Sequence, residues 1–117
     1  MATQYLNNGT YQATVTVTAF RLLTISTTGA VTYTAANGKP DGVAVTDAAV
    51  GDYVAVRYIQ ANGTQKAETA VSVVAIGDTI YSAAAGTVST TGTQAVGKAL
   101  SASSATGTVI EFLANTL

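Results

Sequence analysis

Tyr11-Gln12-Ala13-Thr14-Val15-Thr16-Val17-Thr18-Ala19-Phe20 alternates from end to end. Tyr11, Ala13, Val15, Val17 and Ala19 fall on one side, and Gln12, Thr14, Thr16 and Thr18 on the other. A repeat of two is that of an extended chain whose side chains point alternately to opposite faces, so the segment predicts a strand with one buried face. Val and Thr reinforce this, because their branched side chains suit a pleated surface. The run is long for a strand and has two readings. It is an ordinary strand of the sheet, or an arm that pairs with an exposed edge of another chain. The ordinary strand is preferred, with Met1–Thr10 as a more mobile arm. Residues 1–20 are therefore set apart as arm and strand, and residues 21–117 are read as one β-rich domain.

Beyond this stretch the chain echoes itself. Gly29-Ala30-Val31-Thr32-Tyr33-Thr34 is matched by Gly86-Thr87-Val88-Ser89-Thr90-Thr91, and Gly42-Val43-Ala44-Val45-Thr46 by Gly97-Lys98-Ala99-Leu100-Ser101. A looser echo links Gly51-Asp52-Tyr53-Val54-Ala55-Val56 to Gly107-Thr108-Val109-Ile110-Glu111-Phe112. The offsets are 57, 55 and 56 residues, so the loops absorb one or two positions. Each unit reads as short strands led by Gly turns. Two such units packed together give an all-β fold, a compact β-sandwich or partly open β-barrel, with the alternating strand or arm placed before the repeat. Between the units, Tyr53–Gln60, the turn signal Asn62-Gly63 and Thr64–Val71 predict a hairpin. Asn37-Gly38 followed by Pro40-Asp41-Gly42 predicts a further turn. Thr69–Ile76 carries a spacing compatible with a short helical turn, and Ser101–Thr106 reads as a loop.

Composition narrows the chemistry. At 117 residues the chain is one domain of ordinary size. It has no His and no Cys, which removes disulfides, thiolate chemistry, the common zinc ligands and the side chain that titrates near neutrality. Charged residues make up 9%, far below the roughly 25% of an average soluble protein. A net charge of -1 gives no footprint for nucleic acid or an anionic membrane. A surface built from Thr, Ser, Ala, Asn and Gln has little charge to keep neighbours apart, and it reads either as a surface that a partner covers or as a tolerated Thr-rich exterior. The first eight residues lack the basic start and apolar run of a signal peptide, and no stretch reaches the roughly 20 apolar residues of a membrane span. Synthesis and folding in a cytoplasm are expected.

The remaining constellations do not assemble a catalytic site. Asp41, Asp47 and Asp52 lack the alternating ligands and terminal Glu of a calcium loop, and read as turn residues that accept backbone N–H groups. Ser and Thr are plentiful but have no His beside them. Gly92-Thr93-Gln94-Ala95-Val96-Gly97-Lys98-Ala99 has the skeleton of a phosphate loop, yet Ala99 stands where a hydroxyl should hold magnesium. Asn8-Gly9-Thr10 and Asn62-Gly63-Thr64 read as Asn-Gly turns. No enzyme, metal or cofactor is expected. Six tyrosines on a charge-poor surface suit a protein interface or a sugar-binding face. Tyr5, Leu6, Tyr11, Arg57 and Tyr58 are the candidate interface residues, with Tyr53 and Tyr58 divided by parity between surface and core.

From Arg21 onward the order of elements resembles the small capsid decoration, or cement, proteins of tailed bacteriophages. The resemblance runs from Arg21-Leu22-Leu23 and Gly29-Ala30-Val31 through Pro40-Asp41-Gly42-Val43-Ala44-Val45-Thr46-Asp47-Ala48-Ala49-Val50-Gly51-Asp52. It continues through Val54-Ala55-Val56-Arg57, Ile76-Gly77-Asp78-Thr79-Ile80-Tyr81 and Gly86-Thr87-Val88, and closes on Val96-Gly97-Lys98-Ala99-Leu100 and Val109-Ile110-Glu111-Phe112. It implies a β-rich knob on the outer capsid surface of a virion. Such a knob binds the major capsid protein after assembly and clamps neighbouring subunits, commonly as a trimer. The alternative from another class is a phage fibre or carbohydrate-recognition module.

Overall fold

The computed structural model describes residues 8–59 and 64–114. Ten strands follow in chain order. The first five are β1 Asn8–Ala13, β2 Leu22–Ile25, β3 Ala30–Tyr33, β4 Gly42–Ala44 and β5 Tyr53–Tyr58. The second five are β6 Gln65–Glu68, β7 Thr79–Ser82, β8 Val88–Ser89, β9 Ala95–Ala99 and β10 Val109–Ala114. Among the described residues the one helical element is a three-residue 3-10 turn, Ala84–Gly86. The chain is all-β, as its Val, Thr and Gly content predicts.

The first five strands close into a barrel in the order β1-β3-β2-β4-β5, with β1 antiparallel to β5 and parallel to β3. The second five run β6-β10-β9-β7-β8, and a parallel bridge from Thr69 to Val88 links the two ends of that sheet. Matching β6 to β1, β7 to β2 and so on makes the two cyclic orders the same. Details between the strands repeat as well. Val17 and Ala48 exchange backbone hydrogen bonds at 2.8 and 3.0 Å, as Val74 and Ser103 do at 3.1 and 2.9 Å. The Gly51 N–H donates to Ala13 and the Gly107 N–H to Thr69, both at 2.9 Å. The echo seen in the sequence is thus a duplicated five-strand unit, closed into a barrel in the first copy and forming a five-stranded sheet of the same order in the second. The repeat also begins earlier than the sequence suggests, because β1, which joins residues 8–10 to the first three residues of the alternating segment, is the counterpart of β6 and lies inside the first unit.

Two of the echoed glycines have a steric cause. A Cβ on Gly42 would lie 2.7 Å from the Arg57 carbonyl oxygen. A Cβ on Gly97 would collide with the Leu113 carbonyl oxygen and lie 3.0 Å from the Ala114 Cα. Arg57 and Leu113 are themselves counterparts in β5 and β10. Each unit therefore brings one strand's backbone so close to the next that no side chain fits between them.

Two apolar cores follow from the two units. Ala13, Val17, Leu23, Val31, Ala44, Ala48, Val54 and Val56 fill the first. Leu22, Val43, Ala67, Val74, Ile80, Val88, Val96, Ala99, Ile110 and Phe112 form the second. Leu22 and Leu23 are adjacent, as are Val43 and Ala44, yet each pair is split between the cores. Strands β2 and β4 are the common wall of the molecule and are buried on both faces, which is why they read as continuous apolar runs. The alternation of the opening segment appears directly in burial: Ala13 and Val17 are buried while Gln12, Thr14, Thr16 and Thr18 are exposed.

A polar staple locks the seam. Arg21 Nη2 donates to Glu68 Oε2 at 2.8 Å and Nη1 to the Ala85 carbonyl at 3.0 Å, with the guanidinium 5.6 Å from the Tyr33 ring centre. The Glu68 N–H donates to the Phe20 carbonyl at 2.9 Å. Both side chains are about one-fifth exposed, so the pair is partly shielded from solvent screening. Arg21→Ala is expected to lower unfolding free energy by roughly 2 kcal/mol, the scale of charged hydrogen bonds left unmade. Urea unfolding monitored by circular dichroism measures it, and a loss below about 0.5 kcal/mol would remove the staple from the account.

Four sequence expectations are corrected. Of the alternating segment only residues 11–13 lie in a strand: β1 begins at Asn8, so residues 8–10 pair with β5 and are no arm, and residues 14–20 leave the sheet with a single bridge at Val17. Strands β5 and β6 do not form a hairpin: β5 is already paired on both edges, by β1 and β4, and β6 pairs with β10. The intervening Asn62-Gly63 lies outside the described residues. Thr69–Ile76 contains no helical turn but bends between the bridges at Thr69 and Val74, as its β-branched residues favour. Asn8-Gly9 is not a turn: both residues belong to β1, opposite Arg57 and Val56. The turn at Asn37-Gly38 and the loop at 101–106 are as expected, Asn37 taking a positive φ of 62°.

Candidate interaction surface

The carboxylates are engaged in holding the backbone. Asp41 accepts the Ile25 N–H at 2.8 Å, Asp47 the Ala19 N–H at 2.7 Å and Asp78 the Ala75 N–H at 2.9 Å. Glu68 is in the staple, and Glu111 accepts the Thr64 hydroxyl at 2.6 Å. Asp47 and Asp52 do reach one open groove with Thr16 and Thr18 at the end of the first barrel. Among the described residues no three acidic or metal-ligating side chains gather.

Of the candidate interface residues, Tyr11 and Tyr58 are brought together at the mouth of the first barrel. Their hydroxyls share a hydrogen bond, and the rings meet edge to face at 72° with centres 6.3 Å apart. Gly9 lies beneath them, where a Cβ would come within 2.8 Å of Tyr11 Cε2. Both tyrosines are half-buried, whereas Tyr53 at the other end of β5 is 70% exposed, so parity divides Tyr53 from Tyr58 as expected. Arg57 is half-buried and faces the cleft between the units. Tyr5 and Leu6 lie outside the described residues.

The Tyr11 hydroxyl is held above its ordinary value of 10.0, first by its hydrogen bond to Tyr58, then by burial and by the negative charge of Tyr58 and Asp41. The folded state therefore keeps this proton more tightly than the unfolded chain. The associated stability is whole below about pH 10 and is lost as pH rises through the raised folded value. In urea unfolding between about pH 8 and 11.5, the native protein should lose stability more steeply above pH 10 than Tyr11→Phe. Parallel curves for the two proteins would contradict it.

Sequence patterning missed the apolar surface of the loops and of the second unit. Val50, Tyr53, Val73, Ile76 and Leu113 are each more than half exposed. Periodicity gives no warning at Val73 and Ile76, which sit in a bend where no repeat of two applies. Duplication does mark them, since the counterparts in the first unit are Thr16 and Ala19.

The two units, one a closed barrel and the other a five-stranded sheet, carry an exposed apolar fringe. No family model matches the chain, and no curated protein matches it. A solved structure does: the head fiber gp8.5 N base of bacteriophage phi29 superposes with a TM-score of 0.80 at 25% identity. The match covers 92% of this chain and 92% of that one. The likeness supports a structural protein of a phage virion, associated with the head, and it is a likeness to a structural protein rather than to a catalytic one.

Proposed function

We propose that the chain binds the outer surface of the assembled phage capsid and stabilises contacts between major capsid protein subunits. The observation that carries this reading is the two-unit β fold shared with a head fiber base over nearly the full length of both chains. The exposed apolar residues and the sparse charge support it, since such a surface gains most when a partner covers it. A trimer suits the role: symmetric attachment multiplies weak contacts, and binding only the assembled shell stabilises that state by mass action. The neighbour's place in a head fiber favours a second reading, in which this module is the base of a surface appendage.

Purified protein mixed with capsids lacking it should bind in saturable, fixed ratio and raise the temperature at which the shells come apart. Binding without any rise would favour the appendage base. Saturable binding to glycans with none to shells would overturn both.

A further inference from the structure

The two edges of β1 are not equally used. In an antiparallel pair, facing residues alternate between exchanging both backbone hydrogen bonds and exchanging neither. The Val45 N–H donates to the Ala55 carbonyl at 2.8 Å, so Ala55 turns its backbone toward β4. Its partner in β1 is Thr10, which therefore turns its own N–H and C=O away from β5. Asn8, two residues back and opposite Arg57, does the same, because Arg57 pairs with Val43 of β4. On that far side lies β3, but β3 begins at Ala30, opposite Gln12. Among the described residues nothing bonds to the backbone of Thr10 there. The barrel thus leaves a short stretch of strand edge open.

The second unit shows the same edge in use. Ala13 and Thr69 are counterparts, which sets Thr10 against Lys66 and Gln12 against Glu68. Strand β6 runs along the seam, where Thr64, Gln65 and Lys66 border a cleft walled by Phe20, Val43 and Val45 of the first unit. The Glu68 N–H donates to the Phe20 carbonyl at 2.9 Å. A backbone from outside the unit therefore sits against this edge in one unit, and in the other that place is open. Residue choice separates the two as well. Exposed edges are commonly guarded against further pairing by Lys, other charges or Pro. The covered edge of β6 carries Lys66 and Glu68, whereas β1, Asn-Gly-Thr-Tyr-Gln-Ala, has no charge and no Pro.

We propose that the open edge of β1 takes an extended segment of the capsid protein as an added strand. The proposal rests on the capsid reading and names the contact by which it is made. Residues 8 and 10 each present a donor and an acceptor, and alternate residues of a strand lie about 6.8 Å apart. That spacing is matched by another extended backbone, which is the chemistry of strand addition. Thr10 is exposed, so an incoming chain reaches the edge without moving a side chain of the core.

The test follows amide hydrogen exchange in the full-length protein, free and bound to capsids lacking it. In the free protein the Thr10 amide should exchange at least about tenfold faster than that of Tyr11, which pairs with Val54. On the shell it should slow by at least about tenfold. Thr10→Pro removes this N–H and should weaken shell binding roughly fivefold or more. Thr10→Lys installs the residue that β6 carries at this position, so it should keep the native melting temperature and still weaken binding. A Thr10 amide already slow in the free protein would show the edge covered within the molecule and would overturn the proposal. Shell binding with Thr10 exchange unchanged, or with Thr10→Lys bound as tightly as the native chain, would overturn it and leave the capsid reading standing. Failure of the native chain to bind shells would remove both.

Discussion

Gly97→Val is expected to destabilise the fold by about 3 kcal/mol, the upper part of the range for overpacked sites. The new side chain would meet the backbone of β10 at Leu113 and Ala114, not the tip of a flexible residue, so nothing nearby can move aside cheaply. The penalty should recur at the counterpart position. A Cβ on Gly42 meets the Arg57 carbonyl oxygen at 2.7 Å, and Gly42→Val should therefore fall in the same class. Urea unfolding of the two variants, each compared with the native chain, measures both effects. Tolerance of either within about 0.5 kcal/mol, the ordinary range of surface changes, would mean that the close approach of strands is not a property of the duplicated unit.

Phe112→Ala should cost about 3–5 kcal/mol, because it removes a fully buried aromatic side chain and leaves a cavity. Phe112 is the largest of the fully buried side chains and lies in β10 between Gln65 of β6 and Ala99 of β9. Typical domains have only about 5–15 kcal/mol to lose, so the variant should melt far lower or fail to accumulate. Its neighbour is the control. Leu113 points the other way and is 51% exposed, so Leu113→Ser should change stability by no more than about 0.5 kcal/mol. The contrast also tests register, since a slip of one residue along β10 would exchange the two results.

The sequence is informative where local chemistry and tertiary structure ask for the same residue. Alternation from Tyr11 to Phe20 shows which residues are buried, and the repeated glycines at 42 and 97 mark two close strand approaches. The three parts of the duplication come through because backbone demands there leave little choice of residue. The pairing of strands is less legible. Asn62-Gly63 carries a hairpin signal, but pairing depends on which edges remain open, and β5 has none. Likewise Asn8-Gly9 reads as a turn from its pair of residues alone, while its strand conformation depends on Tyr11 and Tyr58 packing above it. Arg57 and Tyr58 stand out by residue type, and the fold puts Arg57 at the seam cleft and Tyr58 beside Tyr11. The open edge at Thr10 gives no such signal, because it depends on the pairing of β1 with β5 and on where β3 begins.

The duplication also has a consequence for function. Equivalent positions in the two units act as internal controls for what the fold itself requires. Where both keep glycine, as at Gly42 and Gly97, the cause is structural. Where they part, as at Thr10 and Lys66 or Thr16 and Val73, the fold accepts either residue, and the difference is left for a role specific to one unit. The exposed Val73 and Ile76 fall in this second group.

On the proposed function, this two-unit β protein sits on the outer surface of a phage head. The most direct measurement is the amount of the chain in purified virions, by quantitative mass spectrometry against the major capsid protein, with its position found by electron cryomicroscopy. The account predicts a fixed ratio to the capsid protein and density on the outer face of the head. Absence from purified particles, or density confined to the tail, would contradict it.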